Sequence, residues 1–356
     1  MMKIDAIEKE FDKEKLSGII GPLIVWYEKY ARSLPWRENA DPYPVWVSEI
    51  MLQQTRISAA LPYFKAFMDR LPTVSDLASI DDDELLKLWQ GLGYYSRARH
   101  LKEAAQKVMM DFDGVFPVTF DKLLSLPGIG RYTAGAVASI CGNQPVSAVD
   151  GNVLRVLCRY LNLEIDVLDV SCKKAAENVL NEIISKDKPG VFNEAIMELG
   201  ETVCLPNVEP NCPICPLCET CLGYKTGEAK NLPLRKKKAK RKQEKRIVFL
   251  LMTDSKVALL RRPDKGLLAN LWELPNVLSE ISSADVADVL HEMGVESLSI
   301  QPLGEAKHIF SHIEWHMVGY KVRVKKETAG FTWVTREELL REYPVPSALE
   351  FYLKKF

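Results

Sequence analysis

The sequence predicts a multidomain protein, mostly α-helical up to about residue 225 and followed by an α+β module of about 110 residues. Three observations carry that prediction. Apolar residues recur at helical spacing through the first part, five of the eight cysteines fall between Cys204 and Cys221, and past Lys245 short apolar runs alternate with turn signals. With 356 residues, 47% hydrophobic and 27% charged, the chain is long enough for two or three cores and has the composition of a soluble globular protein. The stretch MMKIDAIEKEFDKEK is charged and amphipathic rather than signal-like, and the longest apolar run, near Ile19 to Tyr27, is too short to cross a bilayer. A cytoplasmic protein without a membrane partner is expected.

Taken in order, helical patterns run over Ile19–Tyr30, Val45–Gln54, Ile57–Met68, Asp83–Leu88, Ala98–Met110, Phe120–Leu126, Thr133–Cys141, Val153–Leu161, Lys173–Ile184 and Asn193–Val203. Breaks such as Leu71-Pro72-Thr73 and Lys188-Pro189-Gly190 separate them. Ile247–Met252 and Val257–Leu260, joined by Thr253-Asp254-Ser255-Lys256, predict a hairpin. Further strands are expected near Ile309, over Trp315–Val324 and over Phe331–Val334, with helices over Ala284–Met293 and Arg336–Arg341. The net charge is −1, yet RKKKAKRKQEKR (235–246) carries nine basic residues and one acidic one. Such a block reads as a solvated linker, or as a connector that follows a phosphate backbone.

Six stretches could carry chemistry. In LPGIGRYTAGA (126–136), Gly128 and Gly130 open a turn between two helical patterns. Glycines so placed let backbone N–H groups face outward around one phosphate, and a plain αα-hairpin explains them equally. In WVSEIMLQQT (46–55), Glu49 and Gln53 share a helix face among apolar neighbours. Burial there would raise the Glu49 pKa and keep a proton available near neutrality, as a general acid requires; a surface glutamate is the plainer reading. Asp150, in VDGNVLRVL, reads first as a helix N-cap. The alternative is a carboxylate facing Glu49 across a cleft, the pairing of one protonated and one ionised group that breaks glycosidic bonds.

The run Cys204-x7-Cys212-x2-Cys215-x5-Cys221, with Cys218 inside the last interval, is a metal-binding pattern rather than a secreted disulfide framework. Four thiolates suit zinc or an iron–sulfur cluster, and spacing alone does not choose. GLGYYSRAR (91–99) offers glycines, stacking rings and arginines to a DNA-facing loop. HIFSHIEWHM (308–317) holds three of the five histidines. As a strand it puts Ile309, Ile313, Trp315 and Met317 on one face and the histidines on the other, without a metal site. Phe310, Ser311 and His312 could then read a base by stacking and hydrogen bonds.

The order of LPWR (34–37), VWVSEIMLQQTR (45–56), GLGYYSRAR, LPGIGRYTAGA, VDGNVLR (149–155), NEAIMELG (193–200) and the cysteine run resembles the MutY family of adenine DNA glycosylases. That family belongs to the helix-hairpin-helix superfamily with endonuclease III, and the resemblance covers about Gly21 to Tyr343. It implies a base-excision repair enzyme whose partner is double-stranded DNA with 8-oxoguanine:adenine or guanine:adenine mispairs. The adenine would be flipped out and cut from its sugar while the turn at Gly128 and Gly130 grips a backbone phosphate. The resemblance assigns Glu49 as the acid that protonates adenine N7. It assigns Asp150 as the carboxylate that stabilises the sugar cation as a transient covalent partner, with Tyr132 and Asn152 as their supports. Arg37 and Glu194 match adenine-pocket positions, and Gln54 and Tyr94 match side chains that enter the stack around 8-oxoguanine. The cysteines match a [4Fe–4S] site, one cluster per chain, with Cys204, Cys212, Cys215 and Cys221 as ligands. The first interval here holds seven residues where the family pattern holds six, and Cys218 is additional.

In endonuclease III a lysine nucleophile stands two residues after the hairpin's second glycine. Tyr132 stands there in this chain and cannot form a Schiff base, so a monofunctional glycosylase, acting as a monomer, is expected. RRPDKGLLANLWELP (261–275) resembles the MutT-like, Nudix-fold domain of the family. Catalytic Nudix helices are dense in glutamates, whereas Ala284 to Gly294 offers Asp285, Asp288 and Glu292, so 8-oxoguanine recognition by Phe310, Ser311 and His312 is the expected role. The expected domains are a helix-hairpin-helix glycosylase over 1–228, a basic linker over 229–246 and the Nudix-like domain over 247–356. Within the first, a six-helix barrel spans about 33–149, and a cluster domain joins about 4–32 to 150–228. A non-catalytic lesion binder and a nucleoside-triphosphate hydrolase compete with this reading; the presence of Glu49 with Asp150 argues against the first, and the sparse C-terminal carboxylates against the second.

Overall fold

The computed structural model describes residues 2–234, 240–278 and 286–356. By contact the chain divides into two compact units. One comprises Met1–Gln54, Leu71–Ala78 and Glu103–Lys237, the other Thr55–Arg70, Ser79–Lys102 and Lys238–Phe356. Among the described residues no helix is long and apolar enough to cross a membrane.

The first unit is helical. Its helix Pro42–Leu52 starts where Asp41 accepts the Tyr43 N–H, with proline in the first turn. Tyr43, Val45, Trp46, Val47, Ile50 and Met51 are all buried, so the helix runs through the interior and carries Glu49 in with it. Phe120–Leu124 and Arg131–Gly142 form the glycine-gated hairpin, in which Gly128 takes φ +72°. Further on, Gly135 lets the second of these helices lie against the 147–148 backbone; a Cβ there would sit 2.4 Å from the Ser147 carbonyl oxygen. Gly151–Leu161 begins at its Asp150 cap and packs against Pro189–Thr202 and Val170–Ile183. Their shared core includes Leu23, Val153, Leu157, Val179, Phe192 and Ile196, each such side chain stabilising by about 1.5–3 kcal/mol on burial.

The second unit joins the helical segments Thr55–Arg70 and Ser79–Lys102 to a mixed sheet. Its strands are β1 Lys242–Met252, β2 Lys256–Arg261, β3 Trp272–Glu273, β4 Asn276–Leu278, β5 Ser297–Ile309, β6 Ile313–Val324 and β7 Thr332–Thr335. The order is β3-β2-β1-β6-β5, with β4 pairing β1 and β7 pairing β2; β1 and β6 run parallel. The run IVFLL in β1 is apolar without alternation because both faces are covered. Ile247, Phe249 and Leu251 meet the helix Val286–Glu292, whereas Val248 and Leu250 meet Leu339 and Tyr352 on the other side. Lys87 Nζ donates to the Leu339 and Tyr343 carbonyls, and Gln90 Nε2 to that of Val345, which is why the 79–102 stretch groups with this sheet.

Three expectations change here. β1 begins at Lys242, so the last five residues of the basic stretch form a strand rather than a linker; residues 235–239 of that stretch lie outside the described residues. β5 spans thirteen residues instead of a short segment near Ile309, and it escaped detection because an exposed edge strand carries no apolar alternation. The 308–317 stretch is also not one strand. A turn at Phe310, Ser311 and His312 joins β5 to β6 and resets the period, so His308 pairs with Trp315 and Ile309 with Glu314. Ile309 is therefore exposed, away from the face that buries Trp315 and Met317. Of the three carboxylates near 284–294, Asp288 and Glu292 lie on the helix Val286–Glu292, and Asp285 falls outside the described residues.

Candidate active site

The helix Pro42–Leu52 delivers Glu49 to the interior with 8% of its surface exposed. Burial pushes its carboxyl up to about 7; the negative charges of Glu194 and Asp150 add to the rise, while a hydrogen bond with Tyr132 and the Arg37 guanidinium oppose it. A carboxylic acid of that pKa holds its proton through much of the neutral range. Tyr132 arrives from the first turn of the hairpin's second helix. Burial and the charges of Glu49 and Asp150 hold its phenol neutral.

Asp150 takes the cap position that its sequence context suggested. It caps Gly151–Leu161, its Oδ1 accepting from Asn152 N–H at 2.9 Å and Val153 N–H at 2.8 Å, and its charge reaches Glu49 and Tyr132. Burial raises its carboxyl, and the two capping N–H groups pull it back toward the ionised form. Asn152 Nδ2 donates to its second oxygen at 2.8 Å. All four residues expected to carry the chemistry are thus brought to one place.

Arg37 and Glu194 also meet, at 3.3 Å, both mostly buried. Beside them lies a group that pattern reading missed. Glu198 is 1% exposed and accepts from Arg37 at 3.0 Å and from Arg32 through two nitrogens. Burial pushes its carboxyl up, but the two guanidinium groups outweigh it and hold the carboxyl below its usual range. Its signal was present: Glu194 and Glu198 stand one turn apart on the helix Pro189–Thr202, around the apolar Ala195, Ile196 and Met197.

A second missed residue is Arg155. It is buried in Gly151–Leu161 and donates to Asn152 Oδ1 at 2.8 Å, the Gly200 carbonyl at 2.8 Å and the Cys204 carbonyl at 2.9 Å. A continuous chain of hydrogen bonds therefore runs from the backbone of the first cysteine through Arg155 and Asn152 to Asp150. Hydrogen bonds to charged groups contribute about 1.5–3 kcal/mol each, so Arg155→Met is expected to destabilise the protein by about 3 kcal/mol or more. Denaturant unfolding checks this: an unchanged midpoint would show that the chain of bonds holds nothing together.

Cys204, Cys212, Cys215, Cys218 and Cys221 line one pocket with Arg159. Arg159 Nη1 donates to Cys204 Sγ at 3.3 Å, and the Leu217 N–H to Cys215 Sγ at 3.4 Å. Burial pushes the Cys215 thiol up to about 12, and the Leu217 N–H opposes that rise. Among the described residues no three His, Cys, Asp or Glu side chains stand as ligands of a single metal ion. Gly128 and Gly130 are exposed on either side of the buried Ile129, which anchors the turn. Gln54 follows the Glu49 helix in the left-handed region, φ +58°.

In the second unit Tyr94, at φ +49°, bonds through its hydroxyl to Ser311 Oγ at 2.8 Å. Both line an open cavity of about 510 Å³ with Arg99, His308, Phe310 and His312. Its walls carry aromatic faces, hydroxyls and imidazoles.

A family model described as HhH-GPD superfamily base excision DNA repair protein matches residues 47–186, and one for a NUDIX domain matches residues 247–355. The chain is 36% identical to the adenine DNA glycosylase of Mus musculus, over 94% of this chain and 80% of that one. With its counterpart in Homo sapiens it shares 33% identity, covering 92% and 72% respectively. Among solved structures, a thermostable thymine-DNA glycosylase superimposes with a TM-score of 0.54 at 26% identity, covering 60% of this chain and 98% of the other.

Proposed function

Because the chain belongs to the adenine DNA glycosylases, we propose that it removes adenine paired with 8-oxoguanine or guanine by acid-assisted hydrolysis and leaves the strand whole. The observation that carries this is the pair of buried carboxyl groups: Glu49, pushed up to about 7, and Asp150, whose carboxyl burial also raises while two capping N–H donors oppose that rise. Glu49 gives its proton to N7 of the flipped adenine. The C1′–N9 bond then breaks with its electron pair leaving on the base, and Asp150 meets the cation at C1′ as a transient covalent partner. Water displaces the carboxylate, and the proton it sheds can return to Glu49. Arg37 and Glu194 supply donor and acceptor to the adenine edge, while Tyr132 and Asn152 orient the two carboxyl groups.

DNA is the partner. The glycine turn grips one phosphate, Gln54 and Tyr94 enter the stack, and Phe310, Ser311 and His312 read 8-oxoguanine; the Tyr94–Ser311 bond supports a shared role. Cys204, Cys212, Cys215 and Cys221 would hold a [4Fe–4S] cluster, with Cys218 spare. Such a cluster supplies four covalent ties that brace the 204–221 loop. The proposal includes a monomer acting in the cytoplasm, and a division into 1–228, a connector, and a C-terminal domain that begins with β1 at Lys242.

The test incubates purified, iron-loaded protein with a duplex holding one adenine opposite 8-oxoguanine, with and without later alkali. Strand breaks are expected only after alkali, because Tyr132 cannot act as an amine nucleophile. Breaks without alkali would make the enzyme a lyase, and failure to release adenine would overturn the proposal.

A further inference from the structure

The proton of the Tyr132 hydroxyl has a destination that the catalytic scheme leaves unexplained. A thioether can only accept, so the contact with Met197, Oη and Sδ 3.1 Å apart, makes the hydroxyl the donor to that sulfur. Met197 lies on Pro189–Thr202, between Glu194 and Glu198 in sequence. The same hydroxyl faces Glu49, and donation to that carboxylate would lower the acid's pKa. A phenol has one proton and two lone pairs, a protonated carboxyl can donate, and a thioether can only accept. If Tyr132 donates to Met197, its oxygen can face Glu49 only as an acceptor, and the bond is satisfied only while Glu49 keeps its proton.

From this geometry we infer that Met197 is a positioning residue which, by taking the Tyr132 proton, holds Glu49 in its protonated, acid form. The inference rests on the glycosylase reading above and adds to it the group that sets the acid's proton occupancy. With Glu49 protonated, both bonds of the chain Glu49–Tyr132–Met197 are made. With Glu49 ionised, the phenol turns to the carboxylate and the sulfur loses its donor. The O–H···S bond therefore counts entirely in favour of the proton-bearing state. Other charges facing Glu49 come from Glu194 on the helix of Met197, from Asp150 at the cap of Gly151–Leu161 and from Arg37 in the turn before Glu49's own helix. The Cys141 thiol, on the helix of Tyr132, also senses Glu49, and Tyr132 itself senses Glu201. None of these lies between the phenol and the sulfur in the hydrogen-bond chain, so replacing the sulfur leaves them in place.

Met197→Leu keeps the bulk and removes the acceptor, whereas Met197→Gln supplies another one. Single-turnover release of adenine, followed from pH 5 to 9, should show the basic limb of Met197→Leu shifted about one pH unit downward. Its rate would then fall up to about tenfold above neutrality and stay within about twofold of the parent at pH 5.5. Met197→Gln should restore the limb. In a Tyr132→Phe background, which has no hydroxyl to relay the effect, Met197→Leu should move nothing. A limb that stays put in Met197→Leu, or moves equally in the Tyr132→Phe background, overturns the inference. Carbon-13 NMR titration of the Glu49 carboxyl in DNA-free protein separates this from failure of the glycosylase reading. A carboxyl pKa lowered by Met197→Leu upholds the inference even if no adenine is released, and an unmoved one sinks it.

Discussion

Glu49→Gln is expected to abolish adenine release, with a loss of about 10²–10⁴-fold or more in the single-turnover rate. The amide keeps the size and hydrogen-bonding reach of the side chain but has no proton to give. Because the parent carboxyl is pushed up to about 7, the parent rate should fall as pH rises through that value, and the residual rate of the variant should not follow this limb. The same substitution carries a second signature. A carboxyl whose folded pKa lies above its unfolded value contributes stability at low pH that is lost as pH rises above the unfolded pKa. At neutral pH and above, the buried site therefore disfavours the native state, and Glu49→Gln should be more stable than the parent by up to about 3 kcal/mol. Below about pH 4.5 the difference should vanish, since the group is then protonated in both states. Chemical denaturation at pH 4.5 and pH 8 measures this. An inactive variant with unchanged stability at both would mean that Glu49 is not buried as an acid.

Asp150→Asn should produce a comparable loss of activity with little change in stability. Asparagine caps helices nearly as well as aspartate, so the bonds from the Asn152 and Val153 N–H groups survive. What disappears is the negative charge opposite the cation that forms at C1′ and the oxygen able to bond to it. A loss of at least about 10²-fold in release, with a melting temperature within a few degrees of the parent, is the expected pair of results. A large drop in melting temperature would instead make capping the main contribution of Asp150. Together the two variants separate the roles: Glu49→Gln should lose the pH-dependent limb, whereas Asp150→Asn should slow every pH alike.

Much of this site could be read along the chain. Helical spacing located Pro42–Leu52, Arg131–Gly142 and Gly151–Leu161 to within a few residues, because a helix writes its period into its own neighbours. The cysteine spacing, the glycine turn and the Asp150 cap are equally local. Missed elements have the opposite character. β5 is an edge strand whose partner lies across a turn, and its own residues alternate with no consistent polarity. Glu198 became visible as a buried anion only once Arg32 and Arg37, more than 160 positions away, were brought against it.

By itself, then, the sequence determined which residues could be acid, base, cap and thiolate ligand, since those capacities belong to side chains and short spacings. Tertiary structure decided what state each one is in. Glu49 is a usable acid because packing strips water from it, Asp150 is oriented by the helix terminus it caps, and Asn152 is held in place because Arg155 ties it to the cysteine loop. The direction of one phenolic proton, toward Met197 or toward Glu49, depends on an atom 65 residues away. Desolvation and hydrogen-bond direction are properties of surroundings, and surroundings are assembled from segments that are remote along the chain.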